Sequence, residues 1–197
     1  MENVLFKISF PAEFHAQTAV EAALALHDEV KNRLDEVEKI VITTQESGHR
    51  IINKTGELAN PADRDHCIQY MVAVPLIYGE LKAEHYEDSV AKDPRIDALR
   101  SKMEVEVDDR YTKEYLESDK RSIANAVQIF YKDGTSSKKV EVEYPIGHRR
   151  RRSDGIPLLI EKFERNIALK LSPKKCEQIK KICASQKELE AMAFNDF

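Results

Sequence analysis

The sequence predicts an α+β fold, in which a small mixed or antiparallel sheet with packed helices is followed by C-terminal helices. Two strand signals support this fold class: a β-branched run near residue 40 and a hairpin signal at Asp133-Gly134. Helical stripes of apolar residues lie within residues 14–30 and again after residue 155. With 197 residues, of which 42% are hydrophobic, the chain is long enough to bury a core.

The first 44 residues predict a strand, a helix and a second strand. Residues 4–10 are β-prone and stop at Pro11, which cannot donate to a ladder, so we expect a strand there. From residue 14 to about residue 30, apolar side chains recur every three or four positions, which predicts a helix with one buried face. The β-branched run within residues 37–44 predicts the second strand.

The middle of the chain predicts helices, a further strand and a hairpin. Asn60-Pro61 supplies a cap and a proline suited to the first helical turn, so we expect a helix from there to about Tyr78. A short helix is expected over residues 93–102 and a strand over residues 103–107. Residues 122–131 and 138–144 flank the Asp133-Gly134 turn and predict a β-hairpin.

The composition changes at residues 147–155, a basic connector that contains the arginine run from Arg149 to Arg152. We therefore expect an α+β domain over residues 1–146 and a connector with C-terminal helices over residues 147–197. Residues 156–171 carry an amphipathic stripe, and Ser172-Pro173 caps a second helix. Such helices need a surface to lie on, either the preceding α+β unit or a helical domain outside this chain.

Composition argues against several classes of protein. The 31 basic and 35 acidic residues give a net charge of −4, which disfavours a surface built for nucleic acid or acidic lipid. Cys67, Cys176 and Cys183 are odd in number and widely spaced, which indicates reduced thiols in an intracellular protein. The N-terminus lacks a secretory pattern, and the apolar stretch at residues 71–78 is too short to span a membrane. We expect a soluble cytoplasmic protein with no nucleic-acid or membrane partner.

Asp63, His66 and Tyr70 are candidates for acid–base chemistry. In a continuous helix from Asn60, their spacing places them on one face. An imidazole held by a carboxylate exchanges a proton near neutral pH, and a phenol donates a hydrogen bond to a developing anion. The alternative is a polar stripe whose groups are satisfied by neighbouring backbone.

A second group of candidates points to an anion site. Lys7, Glu13 and His15 surround the turn into the first helix, where free amides suit a carboxylate ligand. Arg149, with His148 beside it, begins the arginine run, and a guanidinium fork matches carboxylates or phosphates. The alternatives are an outward-facing Lys7, a capping Glu13, a solvated His15 and a salt-bridging connector. No metal-binding or cofactor-binding motif is recognised, so the sequence implies no cofactor.

Four segments of the chain are distinctive: residues 6–15 (FKISFPAEFH), 65–76 (DHCIQYMVAVPL), 93–100 (DPRIDALR) and 144–148 (YPIGH). Together, and in this order, they resemble the C-terminal part of the MmgE/PrpD family. The resemblance implies a metal-independent lyase that removes water from 2-methylcitrate in propionate breakdown. It also implies that residues 1–146 form a small lid-like domain, that the last helices join a helical domain, and that this N-terminal helical domain is absent here. Members of the family are commonly homodimers, and a eukaryotic member would be expected in the mitochondrial matrix.

From the resemblance, Lys7 and Tyr70 carry over as active-site residues. The expected roles are catalysis by Tyr70, supported by His66, and substrate binding by Lys7, His15 and Arg149. Such groups suit a tricarboxylate, because dehydration requires a base, an acid for the departing hydroxyl and cations for the carboxylates. Two alternatives stay open: a sister activity on citrate or cis-aconitate, and a non-catalytic binding module of the same fold.

Overall fold

A computed structural model of the chain describes Ile8 and residues 10–196. The chain divides between Arg151 and Arg152 into two compact units, which we call unit 1 and unit 2. This boundary lies slightly after the one expected between residues 146 and 147. Lys7 and most of the predicted first strand lie outside the described residues; Ile8 and Phe10, which are described, belong to no strand.

Unit 1 combines helices with a sheet of four strands among its described residues. Its strands are β1 (Val37–Thr44), β2 (Met103–Val107), β3 (Asn125–Tyr131) and β4 (Val140–Val142). Its helices are α1 (Gln17–Val30), α2 (Glu46–Ile52), α3 (Pro61–Asp65), α4 (Ile68–Tyr78), α5 (Asp88–Ala91), α6 (Pro94–Arg100) and α7 (Asp109–Leu116). Short 3-10 turns cover Phe14–Ala16, Leu34–Glu36, Ala83–Tyr86 and Arg149–Arg151.

The sheet is mixed, with strand order β2-β1-β3-β4. β1 runs parallel to β2, with Ile42 opposite Val105, and antiparallel to β3, with Ile42 opposite Val127. β3 and β4 form the predicted hairpin, and Gly134 supplies the positive φ of 81° that its turn uses. The predictions of an α+β fold, of β1, of β2 and of the hairpin are therefore confirmed.

The core of unit 1 lies between the sheet and two helices that pack together, α1 and α4. α1 buries one face, which includes Val20, Leu26 and Val30, as its periodicity predicts. α4 is apolar on every side and is buried along nearly its whole length. It ends at Gly79, whose positive φ of 71° closes the helix by a bond to the Pro75 carbonyl.

The prediction of one helix from Asn60 to Tyr78 is wrong, because the chain breaks at His66 and Cys67 between α3 and α4. Tertiary contacts on both sides of the break explain it. The Arg64 guanidinium is buried and donates to the Tyr86 carbonyl at 2.5 Å, while the Cys67 thiol donates to the Lys54 carbonyl at 3.3 Å. In one continuous helix, the helical spacing alone would set the directions of the Arg64 and Cys67 side chains, and these two hydrogen bonds would not decide them.

Unit 2 is helical, with α8 (Arg152–Ala168), α9 (Pro173–Cys183), α10 (Gln186–Ala191) and a final turn at Phe194–Asp196. The Ser172 hydroxyl accepts from the Lys175 amide at 3.4 Å, which confirms the predicted cap. α8 starts inside the segment expected to be a loop, because residues 149–151 already turn and lead into it. Within the described residues, no helix is long and apolar enough to cross a membrane.

Candidate functional site

A cleft of about 610 Å³ opens on unit 1 beside the turn into α1. Its walls come from that turn, from the end of α7 and the segment that follows, and from the end of unit 1. None of its lining side chains, all within the described part of the chain, is acidic. The lining residues are apolar Phe14 and Ile123 and polar or basic His15, Tyr115, Ser118, Arg121, His148 and Arg149.

His15 is held at the cleft by Glu13. The Glu13 carboxylate caps the 3-10 turn by accepting from the His15 amide at 2.7 Å, and it also lies 2.9 Å from His15 Nδ1. Burial opposes ionisation of Glu13, but the hydrogen bonds and charge of His15 outweigh it and lower the carboxyl pKa below its usual range. Glu13 is therefore ionised at neutral pH and fixes the imidazole with Nδ1 as the donor.

The other nitrogen of His15 faces α7. His15 Nε2 lies 3.3 Å from the Tyr115 hydroxyl, and the two rings are 5.7 Å apart. With Nδ1 donating to Glu13, Nε2 of the neutral ring is an acceptor, and the Tyr115 hydroxyl lies at hydrogen-bond distance to donate to it. Glu13, His15 and Tyr115 thus form a connected line in which a proton can be held or moved.

Arg149 reaches the cleft from the basic run, whose members are held by the protein itself. Arg149 Nη2 donates to the Asp119 carbonyl at 2.6 Å, and Arg150 Nη2 donates to the same oxygen at 2.9 Å. Arg151 forms a two-pronged ion pair with Glu21, with both bonds at 2.9 Å. These contacts support the alternative of a salt-bridging connector for most of the run, since the guanidinium groups donate to other residues of unit 1.

His148 is buried beneath the same segment. Its ring stacks on Tyr144 at 4.5 Å, and its Nδ1 accepts from the Arg150 amide at 3.2 Å. Burial lowers the His148 pKa, and the charges of Arg149 and Arg150 lower it further. The ring is consequently neutral at physiological pH and serves to position the backbone around the cleft.

The predicted acid–base stripe of Asp63, His66 and Tyr70 is not assembled on one face. Asp63 instead accepts from the Ala59 amide and the Asn60 side chain at the start of α3, both at 3.1 Å, and pairs with Lys54 at 2.9 Å. The Tyr70 hydroxyl is buried and donates to the His85 carbonyl at 2.6 Å, and burial raises its pKa to about 12. His66 is half exposed, and its Nδ1 lies 2.5 Å from its neighbour's carboxylate.

The segment that carries His66 contacts the turn into α1, because the Glu13 amide donates to the Asp65 carbonyl at 3.2 Å. Two imidazole–carboxylate pairs, Glu13–His15 and Asp65–His66, are therefore carried by segments in direct contact. Tyr70 borders a different cleft of about 590 Å³, where Arg64 and Arg100 also line the wall. The structure thus brings together His15 and Arg149, but it places Tyr70 in another cavity.

Sequence reasoning missed Tyr115 and Arg121 as site residues. Tyr115 belongs to α7, a helix whose start was signalled by Asp108, which accepts from the Arg110 and Tyr111 amides. Arg121 has no local signal, because its place in the cleft depends on how the chain turns after α7. The three cysteines are free thiols, and no three potential metal ligands among His, Cys, Asp and Glu gather in the described residues.

Comparison with known proteins matches this chain to longer enzymes. Residues 10–188 match the family described as MmgE/PrpD C-terminal domain. The chain is 54% identical over 200 residues to mitochondrial 2-methylcitrate dehydratase of Yarrowia lipolytica, 52% to 2-methylcitrate dehydratase of Escherichia coli K12 and 53% to that of Cupriavidus necator. Each alignment covers 100% of this chain but 38% of the Yarrowia protein and 41% of the two bacterial ones. The chain therefore spans about two fifths of the length of these relatives, and it belongs to the MmgE/PrpD family, whose C-terminal domain it matches.

Proposed function

We propose that this chain is the C-terminal part of a hydro-lyase that removes water from 2-methylcitrate to give 2-methyl-cis-aconitate. One observation carries the proposal: identity of 52–54% along the whole chain to proteins named 2-methylcitrate dehydratase in bacteria and a yeast. The reaction would serve propionate breakdown. The share of those relatives that lies outside the alignment supplies, in this proposal, an N-terminal helical domain that completes the active site.

The cleft of unit 1 has the chemistry that a tricarboxylate requires. In the dehydration, a proton leaves one carbon and the hydroxyl leaves its neighbour as water, so a base, an acid and carboxylate-binding cations are needed. His15, held by ionised Glu13, donates from Nε2 to a substrate carboxylate when its ring is protonated, and accepts a proton at Nε2 when its ring is neutral. Arg149 supplies positive charge that no carboxylate of the described residues pairs with, since its hydrogen bonds go to the carbonyls of Ser118 and Asp119.

His66, Tyr70 and Lys7 are proposed to act in the reaction as the sequence predicts. His66, exposed and paired with Asp65, is the more accessible acid–base candidate, whereas Tyr70 must release the His85 carbonyl before its proton reaches a substrate. Lys7 is proposed to supply a further cation for a substrate carboxylate. The functional enzyme is proposed to be a homodimer, in the cytoplasm of a bacterium or in the mitochondrial matrix of a eukaryote.

The test is turnover by the full-length protein that contains this segment. We expect formation of the conjugated product, followed by ultraviolet absorbance, with kcat/KM higher for 2-methylcitrate than for citrate. His15→Asn should lower kcat/KM for 2-methylcitrate at least about tenfold. The control is His49→Asn in α2, where the His49 ring contacts Asn53 at the end of the helix. This variant should leave kcat/KM for 2-methylcitrate unchanged.

Each alternative has its own outcome in the same assay. Faster consumption of citrate or cis-aconitate would replace the proposal by the sister activity. Absence of turnover with any of these acids would favour the binding module. Of the arginine run that this module would use, Arg151 is already paired with Glu21, and Arg149 and Arg150 donate to the Asp119 carbonyl.

A further inference from the structure

Arg121 adopts a backbone conformation that its side chain makes costly. Its φ is 47°, and among the described residues it is the one non-glycine residue with a positive φ. The left-handed region brings a Cβ atom too close to the neighbouring carbonyl, which is why glycine is the usual occupant. Residues held in this region cluster at functional sites, where the surroundings enforce the strain.

The turn requires this backbone but does not require an arginine. α7 ends at Leu116, and the amides of Lys120 and Arg121 then both donate to the Glu117 carbonyl, at 3.1 and 2.8 Å. A left-handed residue closes such a turn, and glycine would close it at the lowest cost. The guanidinium therefore needs a separate explanation.

The Arg121 side chain has no polar partner in the part of the chain that the structure describes. It is exposed at the cleft and makes no hydrogen bond or ion pair with any described residue. Arg149, by contrast, is held by the carbonyls of Ser118 and Asp119. Arg121 thus combines a constrained backbone with a guanidinium that no described residue binds, and it lies at the cleft wall.

The cleft around Arg121 is built for an organic anion. Two guanidinium groups, Arg121 and Arg149, line it with His15, and no lining side chain is acidic. Neither guanidinium is paired with a carboxylate in the described residues. Phe14 and Ile123 add an apolar wall. A guanidinium fork binds a carboxylate through two parallel hydrogen bonds, so the fitting ligand has several carboxylates and a small apolar part.

We propose that Arg121 binds a carboxylate of the substrate and sets the preference for tricarboxylates over dicarboxylates. This inference rests on the proposed dehydratase function for the identity of the substrate. It requires only that the anion enter the cleft with one carboxylate at Arg121 and another near Arg149.

The test compares Arg121→Gly with the wild type in the full-length enzyme. Because glycine relieves the strain, the variant should fold at least as well, with an equal or higher Tm. KM for 2-methylcitrate and Kd for tricarballylate, a tricarboxylate without the reacting hydroxyl, should each rise at least about tenfold, with kcat within about threefold. Kd for the dicarboxylate glutarate should change less. The control Arg50→Ala, an exposed arginine of α2, should leave all constants unchanged.

Three results would overturn the inference. KM and Kd unchanged in Arg121→Gly would show that the guanidinium binds nothing. A lower Tm with a matching fall in kcat would assign Arg121 to the stability of the turn.

Arg121-dependent binding of tricarballylate by an enzyme that does not dehydrate 2-methylcitrate would support the carboxylate site and refute the dehydratase proposal. Failure of the wild type to bind tricarballylate would overturn the site even if it dehydrates 2-methylcitrate.

Discussion

Two neighbouring tyrosines, Tyr70 and Tyr86, differ in what their hydroxyls do. Their rings stack at 5.9 Å in the core of unit 1. The Tyr70 hydroxyl donates to the His85 carbonyl, whereas the Tyr86 hydroxyl is buried without a partner among the described residues. Removing a satisfied hydroxyl and removing an unsatisfied one should therefore have different effects on stability.

Tyr70→Phe should lower the free energy of unfolding by about 1–2 kcal/mol, because it leaves the His85 carbonyl without its donor. Tyr86→Phe, the matched control, should be neutral or stabilising, since no hydrogen bond is lost. Chemical denaturation of both variants measures the difference. Equal losses in the two variants would contradict the assignment.

The same Tyr70→Phe variant tests its proposed catalytic role. If the hydroxyl takes part in the reaction, kcat of the full-length enzyme should fall at least about tenfold at a temperature well below Tm. An unchanged kcat, with the stability loss present, would make Tyr70 a core residue only.

His148 should make stability depend on pH. Its folded pKa lies below the ordinary 6.5 because of burial and the nearby charges of Arg149 and Arg150. Between the folded pKa of His148 and the ordinary 6.5, the unfolded chain binds more protons than the folded chain. The free energy of unfolding therefore falls as pH drops below about 6.5 toward the folded pKa. Above about pH 6.5 the neutral ring contributes its full stability.

The measurement is Tm between about pH 7.5 and about pH 5.5. Wild type should lose stability over this range, and His148→Asn should lose less, because it removes the titrating ring while keeping an acceptor for the Arg150 amide. Identical pH profiles for the two proteins would show that His148 does not carry this dependence.

Among the candidate residues, His15 and Arg149 were identified from sequence and do line one cleft. Their chemistry was recognisable because a helix start and a dense cationic run are local features. Tyr115 and Arg121 were missed, since the His15–Tyr115 contact joins residues 100 positions apart. A local pattern carries no information on a contact of that separation.

At the scale of elements, the break between α3 and α4 shows how packing overrides a cap signal. Asn60 caps α3 as predicted, with its side chain accepting from the Asp63 amide at 3.0 Å. The helix still ends after Asp65, because Arg64 and Cys67 each need a buried partner in a different direction. Cap signals predict where a helix begins, but burial decides how far it continues.

The end of α4 offers a second prediction at this scale. An added Cβ at Gly79 would lie 2.9 Å from His27 Nε2, and His27 is held through Nδ1 by the Leu76 carbonyl at 3.0 Å. Gly79→Ala should therefore cost about 2 kcal/mol or more, since left-handed strain and displacement of His27 add. Gly134→Ala, with a similar φ of 81° and open space, should cost about 1 kcal/mol.

Denaturant midpoints of the two alanine variants measure this difference. A loss in Gly79→Ala no larger than in Gly134→Ala would mean that His27 moves away freely, and that its bond to Leu76 contributes little.

At the scale of the molecule, unit 2 carries apolar side chains that solvent reaches. Ile160 is 51% exposed and Leu169 is 74% exposed. Exposed apolar surface of this kind marks a binding surface or a cause of self-association. We expect the 197-residue chain, expressed alone, to self-associate through these helices.

Replacing Ile160 and Leu169 together by Gln should reduce that self-association in sedimentation velocity, without changing the unfolding of unit 1. The control is Ile51→Gln, a substitution at a 53% exposed position of α2 in unit 1, which should have no effect. A wild-type chain that sediments as a monomer at every concentration would contradict the prediction.

The sequence by itself determined the α+β class, most of the strands and helices, and the family to which the chain belongs. These depend on local periodicity, caps and turn residues, which act between neighbours. The tertiary structure decided the break after α3, the separation of Tyr70 from His15, and the cleft where His15, Arg121 and Arg149 meet. It did so because burial and hydrogen bonding join residues that are far apart in the chain, and such contacts form only when the whole core packs.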